Sequence, residues 1–173
     1  MTAFFSEALG KYDRSAFTSG NERIDNYFRQ TISQDVKRSY AAGFVLVDKA
    51  SAKIAGFYTL SSHSIPLTDL PVEVIRKLPR YPSIPAVLIG WLGRDAGFRG
   101  QHIGPMLLAD AITRLAAAPV GIHALCADAI DDAAAAFYRE HQFRPFSSRP
   151  QSFYLPMKTA LALLVQRAGK GTA

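Results

Sequence analysis

Chemistry in this chain is concentrated where an apolar run gives way to a loop and a helix. Val87 to Leu92 is an apolar stretch ended by Gly93, Arg94 and Asp95, and Leu107, Leu108, Ala111, Ile112 and Leu115 then recur every three or four residues. The first pattern predicts a strand covered on both faces, the second one apolar face of a helix. Between them lies Arg99-Gly100-Gln101-His102-Ile103-Gly104, followed by Pro105, which suits the first helical position because its missing N–H is not needed there. The loop thus delivers the chain into a helix N-terminus. Unpaired backbone N–H groups and the positive end of the helix dipole meet at such a point, and phosphate is a natural ligand for them. Glycines allow the backbone to close around an anion. The dinucleotide fingerprint G-x-G-x-x-G is absent.

The elements that must position this junction can be traced along the chain. Ser19-Gly20-Asn21-Glu22 carries a helix-start signal, with Ser19 or Asn21 as cap, and Ile24, Tyr27, Phe28, Ile32 and Val36 mark one face of a long first helix. Its other face carries Arg23, Arg29, Lys37 and Arg38, either ordinary solvation or part of a nucleic-acid surface. Gly43 to Val47 and Lys53 to Leu60 predict an antiparallel hairpin. Five prolines between Pro66 and Pro85 frame a short helical piece at Val72 to Leu78, and Arg76, Lys77 and Arg80 form a basic cluster there. Gly121 to Ala127 is expected as a buried strand, Asp131 or Asp132 as the cap of the next helix, and Ser152 to Met157 as a last strand. Antiparallel strands first, then strands interleaved with helices, predict an α/β fold with a mixed sheet and helices on both faces.

Composition sets bounds. With 173 residues the chain is long enough for one domain with a proper core, taken as 1–173, and too short for two ordinary ones. No run of eighteen apolar residues and no signal-peptide pattern is present, so a soluble cytoplasmic protein without membrane contact is expected. The single cysteine, Cys126, excludes an internal disulfide framework and suits a small core position, and the four histidines lack metal-ligand spacing, so no metal is expected. Twenty Lys plus Arg against fourteen Asp plus Glu give a formal charge of +6, which favours polyanionic partners.

Residues 99 to 104 resemble the pyrophosphate loop Q/R-x-x-G-x-G/A of the GNAT acetyltransferases, matching at Arg99 and Gly104 and carrying His102 where glycine is usual. Ala133 to Phe143, AAAAFYREHQF, is similar to the family's A-x-x-F-Y-x-x-x-G-F signature, with Gln142 in place of glycine. The resemblance covers residues 86 to 157 well. It is closest to the acetyltransferase toxins of bacterial toxin–antitoxin pairs, through Phe17-Thr18-Ser19-Gly20 with Ile24-Asp25, through Gly56-Phe57-Tyr58-Thr59-Leu60, and through Leu88-Ile89-Gly90-Trp91-Leu92-Gly93-Arg94-Asp95, where Trp91 replaces an arginine.

The resemblance implies a GNAT-like fold with a mostly antiparallel central sheet flanked by helices, acetyl-CoA as co-substrate, aminoacyl-tRNA as acceptor, a cognate antitoxin and a homodimer. It implies that Leu92, Gly93 and Arg94 hold the pantetheine arm through backbone groups, that Arg99, Gly100, Gln101, His102, Ile103, Gly104 and Pro105 hold the pyrophosphate, and that Asp128 and Phe137 border the cofactor. It makes Tyr138 the acid that protonates the departing thiolate, a task a phenol near pKa 10 can perform. By residue pattern alone Tyr138 reads first as a core tyrosine packed by Phe137. No general base is evident, which favours an α-amine, titrating near 7.7 to 8, over a lysine near 10.4. The basic residues Arg76, Lys77, Arg80, Lys37 and Arg38 would then contact tRNA phosphates. Acetylation of a small amine, peptide or protein, and acyl-CoA sensing without turnover, stay open on these grounds.

Overall fold

The computed structural model describes residues 3–170. In chain order the strands are β1 (Phe4–Ala8), β2 (Ala42–Asp48), β3 (Ile54–Pro66), β4 (Ser83–Arg94), β5 (Ala124–Asp128), β6 (Arg144–Pro145) and β7 (Ser152–Pro156), and the α-helices are α1 (Glu22–Asn26), α2 (Ile32–Lys37), α3 (Val72–Ile75), α4 (Ile103–Ala116), α5 (Asp132–Glu140) and α6 (Met157–Lys170). Hydrogen-bonded neighbours follow the order β1-β2-β3-β4-β5-β7-β6 in one sheet. β4 and β5 are parallel, whereas β1–β2, β2–β3, β5–β7 and β6–β7 are antiparallel, so the sheet is mixed and mostly antiparallel as expected. The chain divides into two compact units, residues 1–61 with 90–111, and residues 62–89 with 112–173.

In the first unit the sheet is clothed on both faces because its strands alternate. Val45 and Val47 pack with Tyr27, Phe28, Ile32 and Phe57, while Leu46 packs with Tyr58, Ile103, Leu107 and Ala111. The predicted long first helix is present with an internal irregularity: Tyr27–Thr31 is a π-helical turn joining α1 to α2. Asn21 is the cap, accepting from the N–H of Arg23 and Ile24 at 3.0 and 3.3 Å. The hydroxyl of Ser19 instead donates to Asp25 at 2.6 Å, and the Ser19 N–H donates to the same carboxylate at 2.7 Å. The helix ends in a Schellman arrangement with Ser39 left-handed (φ 58°), the Tyr40 N–H reaching the Asp35 carbonyl at 2.9 Å and the Ser39 N–H reaching that of Val36 at 3.1 Å.

In the second unit Ile65, Ile84, Ala86, Ala124, Cys126, Phe146 and Tyr154 form the core, with Val74 and Ile75 of α3 packed against it. Cys126 is a buried free thiol whose pKa burial pushes up to about 12, so it is an inert core residue as expected.

Several expectations need correction. β4 is not covered on both faces: Ile89 is buried but Gly90 is exposed and Leu88, Trp91 and Leu92 are half-buried. β5 starts at Ala124 rather than Gly121 and includes Asp128. Pro105 is the third residue of α4, not the first; the first-turn N–H groups have no partners inside the helix, so the proline is tolerated there too. The edge strands β1 and β6 and the helix α6 follow from no pattern weighed above.

Candidate active site

In the first unit, two glycines set the strand-to-helix junction. A Cβ on Gly56 would lie 2.8 Å from Leu107 Cδ1, 2.9 Å from Ile103 Cγ2 and 3.0 Å from the Gly93 carbonyl oxygen. One on Gly93 would lie 2.7 Å from both Ile24 Cγ2 and Phe57 Cε1. The absence of a side chain at Gly56 lets the first turns of α4 seat directly on β3, with Ile103 and Leu107 fully buried, and its absence at Gly93 leaves room for Ile24 of α1 and for Phe57. Leu92 and Arg94 flank the buried Gly93 at the end of β4 and are half-buried.

Asp95 then turns the chain. Its carboxylate accepts the N–H of Gly97 at 2.8 Å and that of Thr18 at 3.0 Å, while the Ala96 N–H donates to the Thr18 carbonyl at 2.8 Å. The turn leads into Arg99-Gly100-Gln101-His102, all exposed, with Gly100 at φ 81° and His102 at φ 56°. The family's glycine at this place therefore has a backbone reason, since a left-handed residue costs any other side chain about 1–2 kcal/mol. The first helical bond runs from the Met106 N–H to the His102 carbonyl at 3.1 Å. Among the described residues, the N–H groups of Gly100, His102, Ile103 and Gly104 have no hydrogen-bond acceptor, and the Arg99 guanidinium has no ion-pair partner. Four open donors, a helix N-terminus and an exposed cation suit a doubly charged pyrophosphate. Arg99 to Pro105 thus form one contiguous run into the first turn of α4.

In the second unit, Asp128 closes β5 and Asp131 caps α5, accepting the Ala134 N–H at 2.8 Å. Tyr138 is 5% exposed and packs against Phe137, Phe143 and Phe153 at ring-centroid distances of 5.4, 5.1 and 6.0 Å. Burial raises its pKa well above the ordinary phenol value, and the nearby Asp128 carboxylate adds to the rise. The core packing and the chemical role are therefore not alternatives, because the same burial that packs the ring keeps the proton on its oxygen. Phe137 is half-buried, and its carbonyl lies 2.8 Å from His141 Nδ1.

Gln142, where the family has glycine, occupies the left-handed C′ position of a complete Schellman motif at φ 67°. The Phe143 N–H reaches the Tyr138 carbonyl at 3.0 Å and the Gln142 N–H that of Arg139 at 3.0 Å. The motif's hydrophobic contact is the Tyr138–Phe143 ring pair. The cap geometry thus survives the substitution and fixes Tyr138.

Arg76, Lys77 and Arg80 are exposed after α3, and Lys37 and Arg38 are exposed at the end of α2. Each group is followed by an exposed aromatic, Tyr81 (68%) and Tyr40 (69%) respectively. A cation beside an open ring is a platform for phosphate and base together. Sequence reasoning overlooked these two tyrosines, although their place beside basic residues is visible in the chain. It took Asp95 only as the end of the apolar run and of the toxin-like segment and missed its turn-forming role, whose signal was an aspartate two residues before a glycine.

No family model matches the chain. It is 33% identical over 163 residues to a protein named probable toxin TacT from Sinorhizobium fredii (strain NBRC 101917 / NGR234), covering 89% of this chain and 90% of that one. It is 32% identical over 154 residues to a tRNA-acetylating toxin of Mycobacterium tuberculosis (strain ATCC 25618 / H37Rv), covering 88% and 90%. Among solved structures, a tyrosine-to-phenylalanine mutant of KacT superposes with a TM-score of 0.85 at 25% identity, covering 94% of this chain and 99% of that one. AtaT complexed with acetyl-methionyl-tRNAfMet superposes with a TM-score of 0.83 at 26% identity, covering 92% and 98%. AtaTR bound with acetyl-CoA gives a TM-score of 0.79 at 26% identity, covering 94% and 99%.

Proposed function

This chain belongs to the GNAT-type acetyltransferase toxins of toxin–antitoxin systems, and from that premise we propose that it moves the acetyl group of acetyl-CoA onto the α-amino group of an aminoacyl-tRNA and so halts translation. The observation that carries the reading is the match, along nearly the whole chain, to a tRNA-acetylating toxin. The open N–H groups of Gly100, His102, Ile103 and Gly104 and the guanidinium of Arg99 support the loop as the pyrophosphate seat.

The thioester supplies an activated acetyl carbon and a thiolate leaving group. Backbone groups of Leu92, Gly93 and Arg94 orient the pantetheine arm at the end of β4. Tyr138, protonated throughout the physiological range, hydrogen-bonds to the sulfur and gives it a proton as the carbon–sulfur bond breaks; the thiol near pKa 8.5 is the stronger acid, so this transfer is uphill and is completed by re-protonation of the phenolate from water. Asp128 and Phe137 border Tyr138. The acceptor amine, with an ordinary pKa near 7.7 to 8, loses its proton to solvent and needs no protein base.

Arg76, Lys77 and Arg80 with Tyr81, and Lys37 and Arg38 with Tyr40, serve as tRNA contacts. Residues 1–173 act as one catalytic domain in the cytoplasm, where charged tRNA is made, and a cognate antitoxin restrains it. No helix among the described residues is long and apolar enough to cross a membrane. A homodimer is supported by α6, where Leu161 and Val165 are 41% and 73% exposed one helical turn apart.

The test is acetyl transfer from labelled acetyl-CoA to purified charged tRNA, with uncharged tRNA, free amino acids and peptides as competitors. Label stable on the aminoacyl group is expected. Transfer to free amines alone would hand the chain to the small-amine reading.

A further inference from the structure

Trp91 is the only tryptophan of the chain, and it immediately precedes the strand residues assigned to the pantetheine arm. Side chains alternate along β4. Leu92 packs with the cluster under α4, whereas Trp91 packs with the opposite cluster under the first helix. There its indole lies face to face on Tyr27, with ring centroids 4.2 Å apart and planes 9° from parallel. One face of the indole is covered in this way, yet the residue is only partly buried, and the neighbouring Gly90 is exposed and carries no side chain.

The platform is held from several sides. The Tyr27 hydroxyl donates to Asp35 at 2.9 Å, and its ring also stacks near Phe57 at 6.5 Å. The Trp91 backbone N–H donates to the buried Thr59 hydroxyl at 3.0 Å. Tyr27 opens the π-helical turn, a local widening often found where a helix is shaped for a ligand. The charged groups near this cluster are engaged already: Asp35 with Tyr27, Asp25 with Ser19 and with Arg29 at 3.8 Å, and Arg14 with the Phe28 carbonyl at 2.7 Å and Ser33 at 2.8 Å. A charged side chain brought against the indole would lose water and gain no counter-charge.

We infer that the Tyr27–Trp91 stack selects the side chain of the aminoacyl group, favouring large apolar side chains, aromatic ones above all, over glycine and over acidic side chains. The inference rests on the reading that residues 92 to 94 hold the pantetheine arm, which places the reacting thioester beside Trp91. A flat apolar surface attracts apolar and planar groups and leaves glycine with nothing to bury. Trp91 is a specificity-determining residue here and takes no part in proton transfer.

The experiment charges one tRNA body with phenylalanine, leucine, glycine or aspartate, so that contacts with the nucleic acid stay constant, and measures kcat/KM for each. Phenylalanyl-tRNA and leucyl-tRNA should exceed glycyl-tRNA and aspartyl-tRNA by about tenfold or more. Trp91→Ala should shrink that ratio towards one, and Trp91→Phe should keep most of it. A purely structural role would slow all four substrates alike and leave the ratio intact, which would overturn the inference. So would a wild-type preference for glycine or aspartate. If Trp91→Ala does not fold, the ratios of Trp91→Phe and Trp91→Arg decide, retained in the first and lost in the second. A flat profile with vigorous transfer would remove the inference and leave the toxin reading standing, whereas no transfer to any charged tRNA would remove both.

Discussion

Thr18 and Asp95 clasp each other across 77 positions of sequence: the Thr18 N–H donates to the Asp95 carboxylate at 3.0 Å, and the Thr18 carbonyl accepts from Ala96, next in chain to Asp95, at 2.8 Å. The clasp ties the segment before α1 to the turn from which Arg99 to Gly104 emerge. Asp95→Ala removes the acceptor of both Thr18 and Gly97, and should cost roughly 1–3 kcal/mol of stability. Thermal or urea unfolding measures that loss, and calorimetry should show weakened acetyl-CoA binding because the loop loses its anchor. Unaltered binding in a destabilised variant would show that the loop holds its shape without the clasp.

Tyr138→Phe removes the phenolic proton and keeps the ring that packs against Phe143 and Phe153. Turnover should fall by about a hundredfold to ten-thousandfold, with acetyl-CoA affinity and unfolding midpoint retained. An active variant would return Tyr138 to a purely structural role.

The pH dependence has a definite sign. Burial and Asp128 raise the Tyr138 pKa, so the proton needed for catalysis is still present where a free phenol would begin to lose it. The wild-type rate should climb as the acceptor amine deprotonates near pH 7.7 to 8 and should show no tyrosine-controlled decline before about pH 10. The profile must be measured with a base-stable amide analogue of the acceptor, since the natural ester hydrolyses in alkali. A decline centred below pH 10 that disappears in Tyr138→Phe would contradict the raised pKa.

Arg99→Ala deletes an exposed cation that has no ion-pair partner among the described residues, so little stability should be lost. Acetyl-CoA binding should weaken by roughly 1.5–3 kcal/mol, as for a lost hydrogen bond to a charged group. Equal affinity in calorimetry would mean that the N–H groups of the loop suffice.

Gln142→Gly should stabilise the protein by about 1 kcal/mol, because a left-handed residue with a side chain is strained and the gain exceeds the entropy that glycine adds to the unfolded chain. Differential unfolding measures this, and lowered stability would mean that the Gln142 side chain contributes more than its backbone strain costs.

The residue pattern by itself determined the mixed sheet, the hairpin of β2 and β3, the strand, loop and helix running from β4 into α4, and two helix starts whose caps it narrowed to Ser19 or Asn21 and to Asp131 or Asp132, the hydrogen bonds then choosing Asn21 and Asp131. These depend on neighbours a few positions apart, through alternation, helical period and local hydrogen bonds, and so are written in short windows of sequence. Tertiary structure decided what needs distant partners. β1 is only five residues and takes its definition from pairing with β2, so no local window announces it. Tyr27, which opens the π-helical turn, meets Trp91 and Asp35, partners that the helical period of Ile24 to Val36 could not contain. His102 and Gln142 looked like departures from a glycine pattern, and only their φ angles showed that the left-handed backbone had been kept while the residue changed. The state of Tyr138 was decided last of all, because the proton on its oxygen is governed by burial against Phe143 and Phe153 and by the charge of Asp128, none of which the Phe137-Tyr138 dipeptide can display.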